Sequence, residues 1–558
     1  MRNAIVLLAL LACALIARAF VTGSAWWIGI DDANIYYVYA RNILSGHGIV
    51  YAPGGELVEG FTSPLWLLLL VVFSAGNIVS VEAASLLLGI VCTFIALWLV
   101  MGVVRTHRGG VASWFAVVAI LATPGVIDWM MMARLETPLW VLVLAVAGLR
   151  MAYGPYDKWY YMALAALPII RPEGIVLGPL VAVAACYVCH GVTRAVVRPA
   201  LLCAAIPITS ALLLTAVRLA VFGVPLPNTY YAKVSSSFAD NLANGLTYIQ
   251  NAAYTTMWVP ILVFVLVMLW IVLRDSRISR AFISRAFISR AFAFIARAFT
   301  RPTQTICMLV VAILVLPVLT GGDHFPYARF QMPAVVFIWM LVARKVSFIG
   351  WRLAAATGVL VVMNISLPYF INAKGRPLHA LHNMLRQEYN IARDGRMEAD
   401  AIEHIHLGIS HRLSNSQVRG SLPRWGVTSA GGTAYAYAGE CVDLLGLNNP
   451  KMARANARKS GPIHGHSSFN ADVFFEQRPD ILCVFGAGND STALLRFHTE
   501  WDSTTATQNV MHGNIVADPR FAREYGFARL TNNGVSIYGF VRRDYPAKAP
   551  SVSFAFLH

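Results

Sequence analysis

Two adjacent carboxylates, Asp31 and Asp32, follow closely on the first apolar stretch of the chain. Beside an acceptor hydroxyl a carboxylate takes up a proton, and a pair of them also suits a hard divalent cation. At a membrane surface such a pair is costly unless it is solvated, paired or used. A helix N-cap and solvated loop charges are the plain alternatives. Polar and ionisable groups recur in four later turns: Glu136; Arg171 and Glu173; Asn228, Tyr231 and Lys233; Asp323, His324 and Arg329. Lysine meets a phosphate as a point charge and arginine as a bidentate donor. Arg171 and Glu173 equally read as an intramembrane ion pair, Lys233 as a solvated loop lysine, Asp323 as a helix-terminus charge, and His324 as a loop or capping histidine. No ligand set of metal spacing is complete. A divalent cation therefore stays undecided, and no cofactor is certain.

The segments between these turns must hold them at one level. Of 558 residues, 57% are apolar and only 13% charged, and the mean hydropathy is +0.60. Soluble globular chains carry about 25% charged residues, so a soluble enzyme is excluded, as is a disordered chain. Eleven stretches approach the roughly 20 apolar residues that a membrane helix needs. They fall at about 4–21, 83–104, 111–127, 138–153, 159–170, 174–190, 199–221, 256–273, 304–320, 331–344 and 353–371. The apolar run from Leu65 to Phe73 is too short and is left non-spanning. With the N-terminus inside, most basic residues, among them Arg105, Arg108, Arg194, Arg198, Arg344, Lys345 and Arg352, then face the cytoplasm, in keeping with the positive-inside tendency. Arg18 and Arg218, inside spans near their external ends, are expected to snorkel. All the groups above lie on the external side, beginning with a first external loop over 22–82. A transmembrane domain of 1–370 is thus expected, followed by an extracytoplasmic domain of 371–558. That second part holds 20 Lys+Arg and 16 Asp+Glu, with runs such as Ile481–Phe485 and Val535–Val541 that read as strands. Helical stretches over 377–393 and 397–406 alternate with them, giving an α/β or α+β domain. Its histidines (His404, His406, His411, His464, His466) read as surface residues, and Cys441 and Cys483 form one disulfide if close enough.

Much of the net charge of +16 sits in the loop 274–303, where the five-residue repeat ISRAF recurs. This reads as a cytoplasmic loop beside anionic lipid, without chemistry, and makes nucleic acid an unexpected partner.

The stretch DDANIYYVYARNILSGHGIVYAPGGELVEGFTSPLW (from Asp31) resembles the first external loop of the GT-C-type polyprenyl-phosphate glycosyltransferases. It is most similar to that of the terminal arabinofuranosyltransferases of actinobacterial cell walls and their proteobacterial relatives. Leu135-Glu136-Thr137, Arg171-Pro172-Glu173-Gly174, Pro227–Lys233 and Gly321-Gly322-Asp323 with Arg329 extend the resemblance over most of 25–335. It weakens beyond 371, and the insert at 274–303 departs from it. The resemblance implies a GT-C-like fold in the inner membrane of a bacterium. It implies transfer of a sugar, with arabinofuranose the first candidate, from a polyprenyl-phosphate donor to an external glycan or glycoprotein. The catalytic base would lie in the pair Asp31 and Asp32, with Asp31 slightly preferred. Lys233, Arg171 and Arg329 are the phosphate candidates, and Glu136, Glu173, Asn228, Tyr231, Asp323 and His324 complete the substrate-binding set. Two other classes compete. A transporter or flippase for a lipid-linked glycan would place its polar groups near the bilayer midplane and show internal repeats. A non-catalytic envelope or flagellar-motor accessory protein would not need the acid pair.

Overall fold

A computed structural model of the chain describes residues 2–153, 156–191, 197–274, 300–345, 372–373, 376–408, 420–459, 465–485, 489–501 and 507–557. The basic repeat, the expected span 353–371, His411 and His464 fall outside the described residues, as does the side chain of Cys483.

The first part is helical because a backbone in lipid must satisfy its own hydrogen bonds. Helix α1 (Arg2–Thr22) leads to α2 (Asp31–Leu44), which carries both acids in its first turn. The short α3 (Pro64–Ser74) starts on a Ser63 side-chain cap with Pro64 in its first turn. At ~1.5 Å per residue it falls well short of the ~30 Å hydrocarbon core. Helix α4 (Val81–Leu121) has 41 residues, but Gly109 (φ 84°) breaks it. The break separates the two expected spans and sets Arg105 and Arg108 at the turn. Then follow α5 (Thr137–Tyr153), α6 (Lys158–Ile170), α7 (Gly174–His190), α8 (Val197–Phe222) and the one-and-a-half-turn α9 (Asn228–Lys233). Helix α10 (Phe238–Ala252) continues through a π-turn (Ala253–Met257) into α11 (Trp258–Arg274). The helix therefore begins well before the expected residue 256. The polar face of α10 hid it from a search for apolar runs, since its Asp240, Asn241 and Asn244 lower the local hydropathy. Helices α12 (Arg301–Leu319) and α13 (Met332–Lys345) complete this part. Among the described residues five helices are long and apolar enough to cross a membrane. The chain is a multi-pass membrane protein.

The C-terminal part begins with a two-stranded pair, β1 (Asn372–Ala373) and β2 (Arg376–Pro377), and then α14 (Leu378–Leu407), one helix where two were expected. Strands β3 (Trp425–Val427), β4 (Cys441–Asp443), β5 (Ile481–Phe485), β6 (Tyr525–Asn532), β7 (Val535–Arg542) and β8 (Ser553–Phe556) form one sheet in the order β4-β3-β5-β7-β6-β8. The first three strands are parallel and the remainder antiparallel. One apolar core runs from the membrane helices through Tyr389, Ile402 and Ile405 of α14 to Val427, Ile481 and Val541 of the sheet. A second core, with Phe474, Trp501, Phe521 and Phe540, fills the other face.

Candidate functional site

Helix α2 has two working faces. Asp32, Ile35 and Tyr36 repeat at three- and four-residue steps and therefore share one side. Asp31, Asn34 and Arg41 share another. The first side faces a cavity of about 490 Å³. Its wall also includes Glu136, Arg171, Glu173, Thr229, Lys233, Asp323, Arg329 and Phe330. Loops that are far apart in sequence thus meet in one chamber. Its other wall is apolar, with Ile175 and Val176 of α7, Leu316 and Leu319 of α12, and Phe238 of α10. Of these, Ile175, Val176, Phe238 and Leu319 are each about half-exposed on the helix surface.

Two turns leading into the chamber are strained. Arg134 (φ 64°), Tyr327 (φ 62°) and Ala328 (φ 50°) are left-handed without being glycine, a conformation that costs about 1–3 kcal/mol each. Arg134 immediately precedes Leu135-Glu136, and Ala328 immediately precedes Arg329. The surrounding packing holds them, for Tyr327 and Ala328 are buried and the Trp129 indole N–H donates to the Pro326 carbonyl at 3.1 Å.

Charge inside the chamber is arranged in pairs. Arg171 donates to Glu136 at 2.5 Å and bidentately to Glu173 at 3.0 and 3.2 Å, so the expected ion pair with Glu173 is made and is extended by Glu136. Despite burial, Arg171 holds Glu173 below the usual carboxylate range. The Tyr36 hydroxyl donates to Glu136 at 3.4 Å and accepts from the Ser63 N–H at 3.1 Å. Lys233 stands 3.5 Å from Asp32. Burial raises Asp32, yet Lys233, His324 and Arg329 together hold it below its ordinary value. Arg329 pairs with Asp323 at 3.1 Å and lies 5.0 Å from the Phe330 ring, while its Nε has no partner among the described residues. Against the cost of burial, Arg329 and His324 hold Asp323 well below the usual range.

The two acids separate. Asp31 does not line the chamber. Its carboxylate accepts the backbone N–H groups of Gly431 at 3.0 Å and Gly432 at 2.7 Å. Burial raises it to about 6 despite those bonds. Of the pair only Asp32 lines the chamber, so the geometry lends no support to the slight preference for Asp31, which rested on its place in the pair alone. Asn228, Tyr231 and His324 are also off the chamber wall. The Asn228 amide donates to the carbonyls of Gly446 and Leu447 at 2.7 and 2.9 Å, Arg454 stacks 5.4 Å from the Tyr231 ring, and the His324 ring lies 4.6 Å from that of His466. All three join the loops to the C-terminal part. Arg18 and Arg218 do not snorkel. Arg18 meets Asp128 at 2.9 Å, and Arg218 grips Glu59 with two bonds of 2.7 and 2.8 Å.

Sequence reasoning missed Tyr36, Thr229 and Phe330. Tyr36 was accessible, since it lies four residues after Asp32 on a helix. It also missed Glu388 of α14, which burial and then the neighbouring Asp32, Asp31 and Asp323 carboxylates raise to about 8. No local signal marks Glu388. Among the described residues no group of three or more His, Cys, Asp or Glu side chains is arranged to hold a metal ion.

No family model and no curated protein matches the chain. Solved structures do. The chain is similar to ArnT from Cupriavidus metallidurans bound to undecaprenyl phosphate, with a TM-score of 0.52 and 12% identity over 95% of this chain and 97% of that one. The apo state of the same protein gives a TM-score of 0.51 at 12% identity over the same shares. The Archaeoglobus fulgidus oligosaccharyltransferase in its apo form gives 0.48 at 13% identity, over 97% of this chain and 74% of that one. At such identities the likeness concerns the fold. The fold is that of a GT-C-like polytopic membrane protein with a C-terminal sheet domain.

Proposed function

We propose that the protein is an integral membrane glycosyltransferase that moves a sugar, arabinofuranose being the first candidate, from a polyprenyl-phosphate donor to an extracytoplasmic glycan or glycoprotein. The observation that carries this is the single chamber in which Asp32, Lys233 and Arg329 face an apolar wall half-exposed at the helix surface. A polyprenyl tail suits the apolar wall, and a phosphate suits the cations.

In the reaction, the acceptor oxygen bonds to the anomeric carbon while the bond from that carbon to the phosphate oxygen breaks. The acceptor proton goes to Asp32, and the polyprenyl phosphate leaves with the bonding electrons. Lys233 and Arg329 oppose the charge that grows on the phosphate. Before the donor binds, these same cations lower the basicity of Asp32. A phosphate drawing on them relieves that effect, so the base strengthens when a donor is present. Arg171, already gripped by Glu136 and Glu173, shapes the floor and is the weaker phosphate candidate. We place the chain in the bacterial inner membrane with its N-terminus inside, on the charge asymmetry of its loops.

The test has two arms. Undecaprenyl phosphate should bind the purified protein in nanodiscs and lose affinity in Lys233→Ala and Arg329→Ala. In a deletion strain, mass spectrometry should show an envelope glycan short of one sugar, restored by the wild type. Asp32→Asn should fail to restore it, since loss of a general base costs about 100- to 10,000-fold, while still binding undecaprenyl phosphate. Restoration by Asp32→Asn would refute the base.

A further inference from the structure

Helix α2 and the loop that follows it are joined to the C-terminal part by several hydrogen bonds. Tyr51, beyond the end of α2, donates to the Ala430 carbonyl at 2.6 Å, and Arg41 donates to the Tyr435 carbonyl at 2.7 Å. Between these two bonds sits the capture of Asp31 by Gly431 and Gly432, 400 residues on, at the start of the short helix α15 (Gly432–Ala436). Both glycines are required by contact. A Cβ on Gly431 would overlap the Asp31 carbonyl, and one on Gly432 would overlap the Ala392 carbonyl of α14. Asn34, one turn after Asp31, receives Arg396 of α14. The Tyr37 and Tyr435 rings meet edge to face at 5.6 Å.

We propose that Asp31 is a positioning residue: it fastens the C-terminal domain to α2 and thereby fixes the direction in which Asp32 faces the chamber. The second half rests on the assignment of Asp32 as base. Successive residues on a helix are ~100° apart, so one rigid helix can offer Asp31 to the C-terminal domain and Asp32 to the substrate. Any turn or shift of α2 that follows loss of the first contact moves the second carboxylate. A misplacement of ~1 Å at a reacting group costs on the order of 100-fold in rate.

The experiment compares Asp31→Asn, Asp31→Ala, Tyr51→Phe and Asp32→Asn in nanodiscs. The donor probe is undecaprenyl-phosphoryl-arabinofuranose, with its consumption followed as release of undecaprenyl phosphate in the presence of envelope glycan. Amide hydrogen exchange over 428–436 is read in parallel. Asp31→Ala should lower kcat by about 100-fold with the donor KM nearly unchanged, and exchange at 431–436 should accelerate. Asp31→Asn, which keeps one acceptor oxygen, should lose less on both measures. Tyr51→Phe, a milder loosening of the same joint, should lower kcat by a few-fold and guards against an unfolded Asp31 variant. Asp31→Asn with unchanged exchange and a loss as deep as that of Asp32→Asn would overturn the proposal, because Asp31 would then be acting chemically. Faster exchange with wild-type kcat in both Asp31 variants would overturn it as well. Normal turnover by Asp32→Asn sinks the base assignment instead, and the exchange data still decide whether Asp31 fastens the domain.

Discussion

A buried carboxylate keeps its charge only where something answers it, and the chamber and its surroundings show both outcomes. Asp32 and Asp323 are answered by Lys233 and Arg329, and both are held below the ordinary range. Glu388 of α14, off the chamber wall, is raised to about 8 by burial and by the Asp32, Asp31 and Asp323 charges, which Lys233 offsets only in part. Below that pH it is neutral. Above it, ionisation adds a negative charge within electrostatic reach of Lys233, one of the cations proposed to hold the donor phosphate. The donor KM should therefore rise as pH passes through about 8, and Glu388→Gln, which cannot ionise, should keep it flat while matching the wild type at pH 7. The same rise in the variant would show that Glu388 is not the group responsible. The Glu59–Arg218 pair is a different case, since it is buried on both sides and neither residue lines the chamber. Removing one partner of such a pair typically costs about 3–5 kcal/mol, because the other charge is left buried alone. Arg218→Met should lower the melting temperature markedly, and Glu59→Gln with Arg218→Met should recover much of it. Equal melting of the single and double variants would mean that the pair does not couple.

Elements decide where such groups can go. Most were legible: apolar runs became α1, α4–α8, α11, α12 and α13, though several of these are shorter than a full membrane crossing, and short apolar runs became β5 and β7. The exceptions have physical causes. Helix α10 was missed because its Asn241 side serves the chamber and the loop Ser235, to which it is bonded, rather than lipid. The break at Gly109 was readable as a Gly-Gly turn after His107-Arg108. The chamber itself was legible as a set of ionisable turns on one side. Which of Asp31 and Asp32 enters it was not, because that depends on Gly431 and Gly432, which only the folded chain brings near. Helices α10 and α12 also show how the chamber's apolar wall is kept closed. Gly245 of α10 packs directly on the Val318 backbone of α12, with no room for a Cβ. Small residues permit this close approach in membrane helices. Gly245→Val should push the two helices apart, widen the space between Phe238 and Leu319, and weaken undecaprenyl phosphate binding while leaving the charged end of the chamber intact. Calorimetry of binding, beside a melting curve, checks this. Unchanged affinity in a stable Gly245→Val protein would show that this wall does not contact the lipid.

At the scale of the whole molecule, side-chain contacts constrain topology more tightly than loop charges do. Asp31 bonds to Gly431 and Gly432, Asn228 bonds to Gly446 and Leu447, and Ser468 donates to the Ala232 carbonyl at 2.6 Å. The first loop, the loop around α9 and the C-terminal sheet must then lie on one side of the bilayer, whichever side that is. This requirement is independent of the positive-inside count, which adds only that the side is the external one. Ser45 at the end of α2 and Ser551 before β8 are both exposed, so cysteines there report on the two regions without entering the joint. In intact cells whose outer membrane has been made permeable, a membrane-impermeant thiol reagent should label Ser45→Cys and Ser551→Cys alike, above the background of the wild-type cysteines. Labelling of both only in inverted vesicles would keep the fold and reverse the orientation, because the contacts fix which parts lie together while the charges fix which way they face. Labelling of one site in cells and the other only in inverted vesicles is incompatible with the Asp31 joint, since no arrangement of the intervening helices lets residues on opposite faces of a membrane share hydrogen bonds of 2.7 and 3.0 Å.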